Sequence, residues 1–202
     1  TGPVAIAGTA EFALTRQTAD VDTDANGSAD LLGATVDAVA LRLTGARVYV
    51  DGIADLDVSG ALAVARVTPA GVGATTRYTA LKMGEVSVKV RVQPADSFGL
   101  TGTLEIRALD LNSAATGFAR LNWTRAFDFN ADGTRDLLNP GADLPTPAAL
   151  PIDLVSSLQL RVVGTVSGNS TVTYGATSVA NVLLTTGPVA IAGTAEFALT
   201  RQ

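Results

Sequence analysis

Two short acidic segments carry the side chains in this sequence that are best suited to chemistry. Both match the pattern D-x-[DN]-x-[DN]-G-x-x-D, one beginning at Asp22 and the other at Asp128. Oxygen-bearing side chains at alternate positions of a tight loop point towards one centre, the glycine permits the sharp turn, and the final aspartate closes the shell. Such oxygen ligands favour Ca²⁺, so we predict calcium in at least one loop. The predicted ligands are Asp22, Asp24, Asn26, Asp30, Asp128, Asn130, Asp132 and Asp136.

The loops differ from those of helix-loop-helix calcium sensors. Sensor loops have a glutamate at position twelve, where this sequence has Gly33 and Asn139. An alternative is that the loops are ordinary turns, because Asp, Asn and Gly favour turns through side-chain hydrogen bonds to the backbone. If calcium binds, it relieves the repulsion among crowded carboxylates and stabilises the fold. Extracellular calcium modules have dissociation constants of about 10⁻⁴–10⁻³ M, so we expect the chain to lie outside the cell.

Catalysis has few candidate residues in this chain. Histidine and cysteine are absent, which excludes imidazole bases, thiol nucleophiles and metal sites built on either residue. The two lysines are Lys82 and Lys89, and Lys89 lies on the polar side of an alternating strand. Carboxylate pairs such as Glu105 and Asp110 have the residue types used in glycoside hydrolysis, but carboxylates on one face of a strand are more often simply exposed. We therefore expect no enzymatic activity.

The composition predicts a folded chain with a thin core. Of the 202 residues, 47% are apolar and only 5% are aromatic, and the mean hydropathy is +0.32. This excludes disorder and favours layered β-structure built from small side chains. The net charge of −5 argues against nucleic acid as a partner, because that affinity depends on neutralising phosphates. No apolar run reaches the roughly 18 residues of a membrane span.

Alternation of apolar and polar residues predicts an all-β fold of sandwich or solenoid type with little helix. We expect a break at Gly8, a hairpin turn at Asp51-Gly52 and a core position at Leu14. Four prolines between residues 140 and 151 predict an extended linker or covering loop. The main predicted strands are 4–15, 34–50, 53–58, 60–67, 86–92, 100–111, 117–127, 155–166, 171–174 and 179–184.

The sequence also repeats itself. The segment TGPVAIAGTAEFALTRQ occurs at 1–17 and again without a mismatch at 186–202, so the second copy begins 185 residues after the first. We interpret residues 1–185 as one unit of a tandem array and 186–202 as the start of the next unit. We expect both copies to adopt one conformation and strands to continue into neighbouring repeats, because a continuous sheet hides strand edges.

A weaker similarity lies inside the unit. GTAEFALTR at 8–16 aligns with GFARLNWTR at 117–125, and each stretch precedes one of the acidic loops. Each loop then ends in Asp-Leu-Leu. The same order of features in both places predicts that the unit consists of two diverged halves, at about 1–110 and 111–185.

The two loops resemble the nine-residue calcium loops that connect strands in integrin-type propellers and in large repeat adhesins. The 185-residue recurrence and GALAVARV at 60–67 look like the stalk or filament regions of giant secreted bacterial adhesins, including the calcium-dependent RTX and biofilm-associated types. The RTX nonapeptide GGxGxDxUx is absent, so we infer no RTX β-roll. The resemblance implies a structural protein of the cell surface, with neighbouring repeats and lateral copies in a filament as partners.

Two other functions stay open at this point. A glycan- or surface-binding adhesin module needs an exposed aromatic or polar patch, and Trp123, Tyr49, Tyr78 and Tyr174 are candidates for stacking on a sugar. Because Trp123 aligns with Leu14, we expect Trp123 to belong to the core. A self-assembling sheath or surface-layer subunit differs from a stalk only in its lateral contacts.

Overall fold

The computed structural model describes residues 4–50, 54–92, 102–186 and 188–202. Within these ranges the regular structure is β-strand apart from one turn of 3₁₀ helix at Pro140–Asp143. The prediction of an all-β fold is therefore confirmed. The strands are β1 Val4–Val21, β2 Leu31–Val50, β3 Ala54–Thr68, β4 Tyr78–Val92, β5 Thr103–Ala114, β6 Leu160–Ser167, β7 Ser170–Tyr174, β8 Thr177–Thr186, β9 Val189–Ala192 and β10 Thr194–Arg201.

Seven strands form one antiparallel sheet in the order β1-β2-β3-β4-β5-β6-β10, with β1 and β10 as the outermost strands. The strands β7-β8-β9 form a smaller sheet. It is joined to the ends of β6 and β10 by bonds of 2.9 Å, in which Gly168 N–H donates to Gly193 O and Gly193 N–H donates to Asn181 O. The predicted turn at Asp51-Gly52 lies outside the described residues, but the strands on either side of it, β2 and β3, pair as predicted.

Strand β1 is irregular at Gly8, as the sequence predicts. Its pairing with β2 shifts register between Ala7 and Thr9, and Gly8 has a φ of 145°. A Cβ atom on Gly8 would lie 2.5 Å from the Cα atom of Ala46 on β2. Only glycine permits two backbones to approach this closely, so the bulge depends on this residue.

One face of the large sheet, which we call the inner face, is lined by small side chains. Buried alanines and valines follow one another across β2, β3 and β4, with one tyrosine at the start of β4. Small side chains allow a second layer of chain to pack closely on the sheet, so the core is thin, as the composition predicts. The buried residues of this face include Ala34, Val36, Ala38, Ala40, Ala63, Ala65, Val67, Tyr78 and Ala80.

The inner face is covered by residues 115–159, which we call the covering segment. This segment contains no strand, and its apolar side chains join the alanines and valines of the sheet in one hydrophobic cluster. The prediction of a covering loop around the prolines is confirmed, whereas the predicted strand at 117–127 is wrong. The apolar positions of that stretch alternate because they pack onto the sheet. The buried side chains of the segment include Leu121, Trp123, Ala126, Phe127, Leu138, Leu144, Leu150, Ile152 and Leu154.

A buried asparagine on β5 fastens the covering segment to the sheet. The Asn112 side-chain amide donates to Leu121 O at 2.9 Å and to Val155 O at 3.0 Å. Its oxygen accepts a hydrogen bond of 3.1 Å from the indole N–H of Trp123. Asn112 is fully buried, and its bonds to Leu121 and Trp123 lie in the core, where each unpaired polar group is costly. One side chain therefore holds two distant parts of the covering segment in a fixed position.

We expect Asn112→Ala to lower the free energy of unfolding by about 3 kcal/mol or more, because it leaves one indole N–H and two carbonyls without partners and each such group costs about 1–3 kcal/mol. Denaturant unfolding followed by the fluorescence of Trp123, the single tryptophan, measures this loss. Ser113→Ala, on the exposed neighbour in β5, is the control and should change stability little. Equal stability of the two variants would contradict the anchoring role of Asn112.

The opposite, outer face of the large sheet is also apolar. One row of directly opposed residues crosses all seven strands and contains only apolar side chains. The prediction that Leu14 occupies a core position is wrong, because Leu14 and its neighbour Phe12 are 69% and 72% exposed. They lie on an outermost strand and on the face that the covering segment does not reach. The row consists of Phe12, Leu41, Leu62, Met83, Leu109, Val162 and Leu199.

Candidate metal centre

The two acidic loops are neighbours in the fold. The first loop, residues 22–30, connects β1 to β2, and the second loop, residues 128–136, belongs to the covering segment. The backbone N–H of Asp22 donates to Ala126 O at 3.0 Å, which joins the base of the first loop to the chain just before the second. Packing of the covering segment on the sheet therefore brings together two loops that are far apart in sequence.

Each loop is closed in the same way. Asp30 N–H donates to Val21 O at 3.1 Å, and Asp136 N–H donates to Phe127 O at 2.9 Å. Val21 and Phe127 are both fully buried in the hydrophobic core. The core thus fixes the start of each loop, and the last aspartate of each pattern is held directly beside that fixed point.

The first aspartate of each loop organises the backbone that follows it. Asp22 Oδ1 accepts from Asn26 N–H at 3.2 Å, and Oδ2 accepts from Gly27 N–H at 2.8 Å. Asp128 accepts the corresponding bonds, at 3.1 and 3.0 Å, from the amides four and five residues further on. The fourth residue is an alanine in both loops and has a positive φ, 62° in one and 57° in the other. The shared pattern therefore produces one shared loop conformation.

The first loop brings three carboxylates together. Asp22, Asp24 and Asp30 each place an oxygen within 4.8 Å of the others, and Asp22 is only 1% exposed. Calcium binds oxygens at about 2.3–2.6 Å, so ligands on opposite sides of one ion lie up to about 5 Å apart. The spacing and the all-oxygen chemistry of these residues fit calcium. Thr23 Oγ1 donates to both oxygens of Asp30, at 2.7 and 2.9 Å, and orients that carboxylate.

Asn26 and Asp132 occupy equivalent positions in the two loops. Each accepts a hydrogen bond from the backbone N–H two residues further on, Asn26 from Ser28 at 2.8 Å and Asp132 from Thr134 at 2.7 Å. The hydroxyl of Thr134 donates to Asp132 as well. These hydrogen bonds stabilise the carboxylate and lower the pKa of Asp132 below its ordinary value. Both predicted ligands are therefore held in place by the turn itself.

The second loop differs from the first at two predicted ligands, and one of these differences places Asp132 where the first loop has Asn26. Asn130 stands where the first loop has Asp24, and its Nδ2 donates to Asp132 Oδ2 at 3.1 Å. Asp136 accepts from the backbone N–H of Phe129 at 2.7 Å. In the part of the chain that the structure describes, the group of three converging carboxylates is that of the first loop. The first loop is therefore the stronger candidate for an ion.

Arg135 links the two loops, and sequence analysis missed it. Its Nη2 donates to Asp22 Oδ2 at 2.9 Å, and the two side chains are 27% and 1% exposed. It is the only cationic residue in either pattern, against six aspartates. A lone arginine within an acidic motif was the available signal, although its partner lies in the other loop. The guanidinium offsets one buried charge and leaves the pair of loops strongly negative.

We expect Arg135→Ala to lower the free energy of unfolding in chelator by about 1–3 kcal/mol, because it leaves the buried Asp22 carboxylate without its charged partner. Thermal unfolding of the metal-free chain measures the loss. Arg125→Ala is the matched control, since Arg125 lies in the same segment but is exposed. If both variants melt at the temperature of the unchanged chain, the ion pair does not stabilise the loops.

The two carboxylates considered for catalysis, Glu105 and Asp110, lie in different environments. Asp110 is fully buried, with Arg161 Nε donating to its Oδ2 at 2.7 Å and Lys82 Nζ lying 3.5 Å from its Oδ1. Lys82 also forms an ion pair of 2.8 Å with Asp153. Glu105 faces Thr165 across β6. Asp110 of β5 thus lies between two cations, Lys82 of β4 and Arg161 of β6, and these ion pairs join the three strands.

Two of the four aromatic candidates for sugar stacking are in the core. Trp123 is fully buried, as predicted, and Tyr78 is 3% exposed. Tyr174 is half-buried on the smaller sheet, and the side chain of Tyr49 lies outside the described part of the structure. Trp123 packs near Phe127, with ring centroids 5.8 Å apart. Trp123 and Tyr78 therefore stabilise the fold and present no ring to solvent.

Comparison with protein-family models, with curated proteins and with solved structures finds no match for this chain. In the described ranges, no helix has the length and apolar character needed to cross a membrane. A function for this chain has to be argued from two features of its own structure. These are the two acidic loops of one conformation and the sheet whose outermost strands share one sequence.

Proposed function

We propose that this chain is a structural repeat of an extracellular fibre or adhesin stalk that calcium stabilises. The observation that carries the proposal is the position of the duplicated segment. Residues 9–16 of the first copy lie in β1 and the same sequence at 194–201 forms β10, so one sequence provides both outermost strands of the large sheet. The copies differ in their first strand residues, since 4–7 pair with β2 in the large sheet whereas 189–192 form β9 in the smaller sheet. A sheet with the same strand at both edges can continue from one unit of a tandem array into the next, where each unit contacts its neighbours directly.

Calcium is the ion that the loops favour. Asp22, Asp24 and Asp30 offer carboxylate oxygens at a mutual spacing that suits one hard cation. In the second loop, Asp128, Asp132 and Asp136 supply the carboxylates on the same backbone. A bound ion neutralises carboxylates that the fold holds close together, so it favours the folded state. Because modules of this kind bind calcium with millimolar to submillimolar affinity, the proposal places the chain at the cell surface or outside the cell.

The glycan-binding alternative has less support. A sugar platform needs exposed aromatic rings, and the burial of Trp123 and Tyr78 removes two of the four candidates. The sheath or surface-layer alternative uses the same tandem units and differs from a stalk in lateral contacts between arrays. A stalk of calcium-stabilised repeats, in an adhesin of the biofilm-associated type, is therefore the function that we favour.

We expect the chain to melt at a higher temperature in 10 mM calcium than in chelator. For a site with a dissociation constant of about 10⁻⁴ M, this concentration adds about 2.7 kcal/mol, which corresponds to about 5–10 °C for a chain of this length. Differential scanning calorimetry measures the shift, and magnesium serves as the comparison ion because it requires stricter octahedral geometry. Identical melting in calcium and in chelator would refute the calcium part of the proposal.

A swap between the loops tests the site more closely. Asp24→Asn leaves the first loop with two carboxylates and should weaken calcium binding about tenfold or more, whereas Asn130→Asp gives the second loop four and should strengthen binding there, since carboxylate number sets affinity in such loops. Isothermal titration calorimetry measures both. Asp20→Asn, which removes a carboxylate just outside the first loop, is the control and should leave the affinity nearly unchanged. Equal effects of Asp20→Asn and Asp24→Asn would indicate bulk charge rather than coordination.

A further inference from the structure

The two copies of the duplicated segment lie in the same orientation in the large sheet. Every neighbouring pair of strands is antiparallel, so β10, six strands from β1, runs in the same direction as β1. Residues directly opposite each other share a face, and the row that begins at Phe12 ends at Leu199. Phe12 and its counterpart Phe197 therefore point to the outer face. β2 lies on one side of β1, and β6 lies on the other side of β10.

Strand β1 makes side-chain contacts that β10 lacks. Arg16 Nε donates to Asp37 Oδ1 at 2.6 Å, and this ion pair holds the pKa of Asp37 below its ordinary value. Glu11 accepts from the backbone N–H and the hydroxyl of Thr146, at 3.1 and 2.8 Å, in the covering segment. Both partners belong to the β2 side of the strand or to the cover above it. The residues of β10 equivalent to Glu11 and Arg16 are Glu196 and Arg201, and both are exposed.

Strand β10 in turn makes contacts that β1 lacks. The ring of Phe197 lies over Gly164 of β6, since a Cβ atom on Gly164 would lie 2.6 Å from Phe197 Cζ. Phe197 is 37% exposed, whereas Phe12, the same residue in the first copy, is 72% exposed. Arg201 O accepts from Gln159 N–H at 2.9 Å. The two copies thus carry complementary halves of the contacts that one interior strand would make.

We propose that β10 is β1 of the following unit, so that each unit contributes six strands to one continuous sheet. This inference rests on the proposed tandem array, and its partner is a second copy of the unit. In the shared strand, Arg201 pairs with Asp37 of the next unit and Glu196 accepts from Thr146 of the next unit, while Phe197 stays over Gly164. Because neighbouring strands lie about 4.8 Å apart, six strands give a repeat of about 29 Å along the sheet.

The shared strand differs from simple association of separate chains. If two separate chains joined β10 to β1, two copies of the same strand would lie side by side and run in the same direction. The shared-strand arrangement has one copy of the segment with β6 on one side and β2 on the other, which tandem units in one chain supply directly.

Amide hydrogen exchange measured by NMR tests the shared strand. The comparison is between the 202-residue chain and a two-unit chain, in which Gln202 is followed by residues 18–202 of a second copy. In an antiparallel strand, alternate N–H groups point to opposite edges, so we expect the two copies in the 202-residue chain to protect complementary sets of amides. In the two-unit chain the central copy should protect both sets. Protection of only one set there would overturn the inference.

Glu196 provides a matched control, because the two-unit chain contains three copies of this glutamate. In the 202-residue chain Glu196 is exposed, so Glu196→Ala should leave the melting temperature nearly unchanged. In the two-unit chain the same residue accepts from Thr146 of the next unit, so Glu196→Ala should lower the melting temperature by about as much as Glu11→Ala does in the first copy. No loss for Glu196→Ala in the two-unit chain, where Glu11→Ala does cause one, would also overturn the inference.

The calcium proposal and the shared strand fail separately in these experiments. Exchange is measured in calcium and in chelator. Full protection of the central copy with no effect of calcium on melting supports the shared strand and counts against the calcium proposal alone. Half protection of the central copy in a chain that calcium stabilises counts against the shared strand alone.

Discussion

The fold depends on holding an irregular segment against the inner face of the sheet, which has few large side chains. Alanine and valine provide little surface for interdigitation, so contact area alone gives the cover limited positional control. Asn112 supplies that control through three hydrogen bonds to two distant parts of the covering segment. A buried polar group that is fully satisfied specifies one arrangement, because any sliding of the cover leaves it unpaired. Trp123, its partner, then brings the largest ring of the core into the same place.

This anchoring also determines the electrostatics of the loops. The second loop is part of the covering segment, so the position of the cover decides where its arginine lies. Arg135 reaches Asp22 in the first loop, a carboxylate that is almost fully buried and that also orders its own turn. The three converging carboxylates of the first loop, with one guanidinium on Asp22, are a negative site. Such a site gains free energy from a divalent cation, which is the physical basis for proposing a calcium-stabilised unit.

The edges of the sheet pose a second physical problem, because an unpaired edge of this length is a template for aggregation. The outermost strands of this sheet have one sequence, the same direction and the same outward face, and they make complementary contacts. The exposure of Phe12 and the partial cover of Phe197 follow from the side on which each copy has its neighbour. A tandem array solves the edge problem for every unit except the terminal ones, and it does so without new contacts beyond those already present in one unit.

Features that depend on local backbone preferences were predictable from the sequence. Alternation identified most strands, Gly8 marked the bulge, and the spacing of Asp, Asn and Gly predicted two loops that have one conformation. Features that depend on which segments pack together were decided by the tertiary structure. The same alternation describes a strand in β1 and an irregular cover at 117–127, because period-two patterning records where apolar groups are buried and not what the backbone bonds to. The placement of the covering segment on the inner face likewise decides two further points. It determines that the face of β1 carrying Leu14 stays uncovered, and it determines that Arg135 contacts Asp22.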